Sequence, residues 1–120
     1  MLAHDSHNII AVGVDDDSIC RAVNLLIKNK GGLSVVNGSD ESVLPLPIGG
    51  LMSDQDCETV GSLYSTLDNK VKAMGCKLRA PYMTLSFMAL LVIPSLKLSD
   101  KGLFDGGKFE FTDVMLNSKF

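Results

Sequence analysis

What the chain has little of narrows it first. Histidine occurs only twice in 120 residues, at His4 and His7. Cysteine occurs three times, as Cys20, Cys57 and Cys76, an odd and widely spaced set without a C-x-x-C pair. Such cysteines read as reduced thiols in a cytosolic protein. Basic charge is outnumbered, with 11 Lys and Arg against 14 Asp and Glu, a net charge of −3 and a pI near 5.2. No Lys/Arg stripe appears anywhere, which argues against a nucleic-acid partner. No apolar run reaches bilayer length. The most apolar segment, Met83 to Pro94, is too short and carries Thr84 and Ser86, so a buried core segment is expected and not a membrane span. No signal-peptide pattern precedes the first apolar stretch. Repeats and low-complexity tracts are absent too. Nor does any segment supply a nucleophile with a separate base, a full metal cage or a cofactor loop.

What is there begins with size and hydropathy. A chain of 120 residues is expected to form one domain with a real core. Its hydrophobic content of 46% and mean hydropathy of +0.23 are high for a small free-standing domain. That excess suggests apolar surface meant for something larger.

The stretch with most chemistry is His4-Asp5-Ser6-His7-Asn8, which runs directly into Ile9-Ile10-Ala11-Val12-Gly13-Val14. The second part reads as a buried strand, with five polar residues at its lip. A Ser-His-Asp triad is disfavoured, since adjacent extended residues point to opposite faces. A metal site from His4, Asp5 and His7 has suitable donors, yet no remote cluster completes it. Turn formation by Asp5, Ser6 and Asn8, with the histidines packed beside them, is the structural alternative.

Asp15-Asp16-Asp17-Ser18 then opens a helix, one carboxylate capping free N–H groups and the cluster suiting the helix dipole. Ile19, Ala22, Val23, Leu26 and Ile27 give that helix one apolar face, and Gly31-Gly32 ends it. Leu33 to Val36 and Ser42 to Leu46 are expected as strands of a hairpin turning after Asn37-Gly38. Strand, helix, strand favours parallel pairing of the first two strands. The fold class expected is therefore α/β, a small mixed sheet in β-α-β-β-α-α-β order with helices packed on it.

Leu44-Pro45-Leu46-Pro47-Ile48-Gly49-Gly50-Leu51-Met52-Ser53-Asp54 is the second unusual stretch. Its prolines forbid a central strand, and its glycines open backbone conformations that other residues avoid. A loop so apolar is either packed under another element or turned towards a partner, and the partner reading leads. It is no phosphate loop, lacking the G-x-x-x-x-G-K-[ST] pattern. Ser53 or Asp54 is expected to cap a longer helix whose buried face is Val60, Leu63, Tyr64, Leu67, Val71 and Met74, stopped at Gly75. Met83 to Leu91 is expected as a buried helix ended by Pro94, then a turn-rich run from Lys97 to Asp105 and a last strand at Phe109-Glu110-Phe111.

His4 to Ile10, Leu44 to Ser53, Met83-Thr84-Leu85-Ser86-Phe87 and Leu96 to Leu103, in this order and spacing, closely resemble the C-terminal region of bacterial adenine deaminases, of the amidohydrolase superfamily. Gly49 stands where Ala is expected and Leu91 where Pro is expected. The resemblance implies the C-terminal domain of a larger enzyme that converts adenine to hypoxanthine and ammonia. In that family a metal-bearing (β/α)8 barrel precedes this region, with manganese or iron activating the attacking water. The barrel's metal ligands have no counterpart in these residues, so no metal is expected in this chain and the chain alone is expected to be inactive. The resemblance further implies that His4, Asp5, Ser6, His7 and Asn8 lie at or behind the purine pocket. It makes Leu46, Pro47, Ile48, Gly49, Gly50, Leu51, Met52 and Ser53 a contact for the barrel. The implied setting is cytoplasmic, with the barrel and adenine as partners and a homo-oligomer as a further possibility. A free-standing interaction or small-ligand module without chemistry is the competing reading.

Overall fold

The computed structural model describes residues 8–115, and its framework is a two-stranded hairpin covered on both faces. Helix α1 (Asp16–Lys28) starts where the aspartate cluster predicts: the Asp15 carboxylate accepts from the Ser18 N–H at 2.8 Å and from the Ser18 hydroxyl at 3.0 Å. This N–H is one of the four donors that a helix start leaves without an intrahelical partner, and a carboxylate there also suits the dipole. The helix closes at Asn29, and the chain reverses through Lys30 and Gly31 into β1 (Gly32–Asn37). A tight turn at Gly38-Ser39 leads into β2 (Asp40–Pro45), antiparallel to β1 with Leu33 opposite Leu44 and Asn37 opposite Asp40.

Strand alternation sorts the hairpin's two faces. Ser34 and Glu41 face α1: the Ser34 hydroxyl donates to the Ala22 carbonyl at 2.9 Å, and Arg21 Nε donates to Glu41 Oε1 at 2.8 Å. Leu33, Val35 and Leu44 face the other way, towards α2 (Cys57–Ala73). There they meet Val60, Leu63, Tyr64, Leu67 and Val71, as expected from the 3.6-residue period, whereas Met74, expected on the same face, is the C-cap and is exposed. Leu67, 1% exposed, is the centre of this core. Lys70 ties α2 to the hairpin through Asp40 at 2.8 Å and the Ser42 hydroxyl at 2.6 Å. The cap of α2 is Asp56, whose carboxylate takes the Thr59 N–H at 2.8 Å, and not Ser53 or Asp54. Ser53 instead accepts from the Gln55 N–H.

Helix α3 (Pro81–Phe87) is shorter than expected. Proline at its first position suits a helix start, and Tyr82 and Ser86 are buried, but Phe87 and Met88 are exposed. The expected buried helix from Met83 to Leu91 is therefore corrected to about two turns, Pro81–Phe87, with an uncovered C-terminal side. Beyond it, β3 (Leu96–Ser99), β4 (Gly102–Asp105) and β5 (Glu110–Thr112) form an antiparallel meander. Phe104 holds it together, edge-on to Phe109 and Phe111 at 5.5 and 5.2 Å. The meander packs only lightly on the rest, and the molecule is drawn out to 55 Å in its longest dimension.

The α/β class stands: three helices and two small antiparallel sheets. Two details differ from expectation. The sheets are separate and wholly antiparallel, not one mixed sheet, and Ile9 to Val14 is not a buried strand. Residues 8–14 lack strand pairing among the described residues, with Val12 81% and Val14 101% exposed. The reason lies at the edge of β1. Gly31 accepts from the Leu46 N–H, so alternation makes Leu33, Val35 and Asn37 bond to β2 and turns Gly32, Ser34 and Val36 outward. The outward Ser34 carbonyl is already taken by the Tyr82 hydroxyl at 3.1 Å. A parallel strand cannot form its ladder there while Tyr82 holds that position.

Candidate functional site

Of the polar lip, His4, Asp5, Ser6 and His7 lie outside the described residues, and Asn8 is exposed at the head of the unpaired segment. The structure thus leaves the proposed constellation open at four of its five positions. Among the described residues, no three His, Cys, Asp or Glu side chains come together as a metal-holding group.

The apolar loop is described in full. Leu46 is buried, and its N–H donates to the Gly31 carbonyl at 3.1 Å. Ile48 and Met52 then pair backbone to backbone, each N–H donating to the other's carbonyl at 3.1 Å. Gly49 and Gly50 form the tip with φ of 65° and 74°, the left-handed region that favours glycine. The result is a closed, ordered knuckle that carries Pro47, Ile48 and Met52 on its outside. Gly50 sits directly on the corner before β1: a Cβ on Gly31 would lie 2.4 Å from the Gly50 Cα.

A second apolar surface was not singled out from the sequence as a contact. Phe87, Met88, Val92, Ile93, Leu96 and Leu98 are all exposed along one continuous stretch of chain. Its signal was present in the all-round apolarity of Met83 to Pro94, which fits a segment covered from outside as well as one buried within.

Elsewhere the polar chemistry serves the scaffold. A shallow hollow of about 130 Å³ lies beside the Lys70–Asp40 pair, lined also by Val35, Asn37, Ala73 and Met74. The bonds from Ser18 hold the Asp15 carboxyl below the usual carboxylate range, and those from Thr59 do the same for Asp56. Burial raises the Tyr82 phenol to about 12 and also raises that of Tyr64, with the Asp68 charge adding to both. These shifts follow from capping and packing. The cysteines Cys20, Cys57 and Cys76 are free thiols. No helix of the described residues is long and apolar enough to cross a membrane.

Ordered hairpin and helices, scaffold-serving polar groups and two uncovered apolar surfaces define a domain that makes sense within something larger. Comparison with known proteins agrees. The family model described as the adenine deaminase C-terminal domain matches residues 1–110, and the chain belongs to that family. It is 58% identical to an adenine deaminase of Sulfurovum sp. over 113 residues, covering 93% of this chain and 21% of that protein. An adenine deaminase of Methanosarcina mazei is 55% identical over 94% of this chain and 20% of its own length. One of Salinibacter ruber is 54% identical, over 93% and 21%. The chain therefore spans about a fifth of the length of the curated relatives it matches. No solved structure matches it.

Proposed function

We propose that residues 1–120 act as one domain, the C-terminal part of an adenine deaminase that hydrolyses adenine to hypoxanthine and ammonia. The observation that carries this reading is the family match over residues 1–110 at a fifth of the relatives' length. The domain works packed on a catalytic barrel of the same polypeptide. Manganese or iron, which in such an enzyme activates the water that attacks the purine, is held outside this chain. Within the assembly, His4, Asp5, Ser6, His7 and Asn8 sit at or just behind the purine pocket. Polar groups covered by a second domain need hydrogen-bond partners, and a purine edge offers them. The knuckle from Leu46 to Ser53 and the strip from Phe87 to Leu98 meet the rest of the enzyme, which removes their apolar surface from water. The location is cytoplasmic, in keeping with three free thiols.

The test is an ammonia-release assay on adenine. The isolated chain shows no turnover with manganese, iron or zinc added, and the chain joined to the upstream four-fifths of the enzyme does. Turnover by the isolated chain would mean that His4, Asp5 and His7 complete a site unaided. No turnover by the long protein would leave a module that binds without chemistry.

A further inference from the structure

We infer that residues 9–14 are a strand held ready for a β-sheet edge in the upstream part of the same polypeptide, joined to it by main-chain hydrogen bonds. The inference rests on the reading of this chain as one domain of a larger enzyme and names how the two parts are joined.

Ile9, Ile10, Val12 and Val14 make four of six residues β-branched, the type that fits a pleated sheet. The six are uncharged and free of proline. Such a segment left in water is a template for pairing with other chains. Yet Ile9, Val12 and Val14 are exposed, and no described strand pairs with residues 9–14.

The hairpin cannot take them in. The outer edge of β1 is capped at Ser34 by the Tyr82 hydroxyl. The outer edge of β2 turns Glu41, Val43 and Pro45 outward by the same alternation. Pro45 has no N–H to give, and Asp40 and Glu41 put charge on that edge, the usual protections against strand addition. The fold thus shields both hairpin edges and leaves residues 9–14 without a strand partner among the described residues. Bare strand-formers are kept where a partner covers them.

Position selects the partner. The segment lies at the N-terminal side of the described residues, immediately before α1. The relatives carry about four-fifths of their length outside the match to this C-terminal domain. Extended, six residues reach roughly 20 Å, enough to lie along a full sheet edge. Strand addition there would also hold His4 to Asn8, the preceding residues, against the upstream part.

Amide hydrogen exchange on peptides spanning residues 8–15 tests this, in the isolated chain and in the full-length enzyme. Expected is exchange near the unprotected rate in the isolated chain and at least about 100-fold protection in the full-length enzyme. In the full-length enzyme, Val12→Pro abolishes that protection and Val12→Thr, which keeps the N–H and the branching, preserves it. Free exchange in both proteins overturns the inference. So does concentration-independent protection in the isolated chain, which would place the strand within the domain. Protection of the isolated chain that grows with concentration would make a second copy the partner and equally overturn it. Adenine turnover in the full-length sample is read separately. An active enzyme with unprotected residues 9–14 removes this inference and leaves the deaminase reading standing. Protection in an inactive protein does the reverse.

Discussion

At the scale of single residues, Tyr82 does most to shape the molecule. Its hydroxyl closes the outward edge of β1 at Ser34 while its ring joins the core with Leu67 and stands 6.2 Å from that of Tyr64. Tyr82→Phe removes the bond and is expected to cost about 1 kcal/mol, read as a lower urea midpoint at unchanged slope. Ionisation reports the same group. Folding raises this phenol from 10.0 to about 12, so the fold favours the neutral form. The resulting stability is complete below pH 10 and drains away as pH rises from 10 towards 12, by up to roughly 3 kcal/mol. In Tyr82→Phe that alkaline loss should shrink to the smaller share left to Tyr64. His7 carries the functional prediction at this scale. In the full-length enzyme, His7→Ala or His7→Gln should lower kcat/KM at least about tenfold, roughly 1.4 kcal/mol, with Tm little changed. Loss of Tm in step with activity would assign His7 to a structural corner, and full activity would remove it from the site.

At the scale of elements, the helices were the most legible part of the sequence. Asp15 and Asp56 each stand three residues before a hydroxyl residue, and each carboxylate takes both the N–H and the Oγ of that residue. This repeated Asp-x-x-Ser/Thr was available to place the second cap, which Ser53 and Asp54 obscured by being capping types themselves. The first hairpin was legible from Asn37-Gly38, although its second strand begins at Asp40 and not at Ser42, so that Asp40 and Glu41 pair within β2. The β3–β4 hairpin was not: its Asp100-Lys101 turn is chemically ordinary, and Leu96 and Leu98 point outward, so alternation gave no buried face to read. Ile9 to Val14 has the composition of a strand and was expected as a buried one, but a strand needs an edge, and composition says nothing about which edges are open. The polar lip was legible only as residue types, since all of it but Asn8 falls outside the described part. The packing prediction belongs to α2. Leu67→Ala empties the centre of a small core and should cost about 2–5 kcal/mol, a large share of the roughly 5–15 available to a domain. A denaturant midpoint shifted by less than a quarter of this would mean that the core collapses around the gap.

At the scale of the whole molecule, the radius of gyration is 16.3 Å, against about 14 Å for a compact chain of this length. Elongation and a lightly packed meander leave much apolar surface in water, including Leu98 at 74% exposure. The isolated chain is therefore expected to bind a hydrophobic dye and to self-associate as concentration rises in sedimentation. A strictly monomeric chain that leaves the dye dark would show that these surfaces are not built for cover. Joining the upstream part should quench both behaviours together, because the same surfaces would be occupied.

The seat of Gly50 on Gly31 has a mechanical side. The knuckle and the α1–β1 corner touch backbone to backbone, with no side chain between them to give way. Side chains absorb small displacements by changing rotamer, and a main-chain contact has no such slack. Any side chain at Gly31 would therefore have to push the knuckle off the corner.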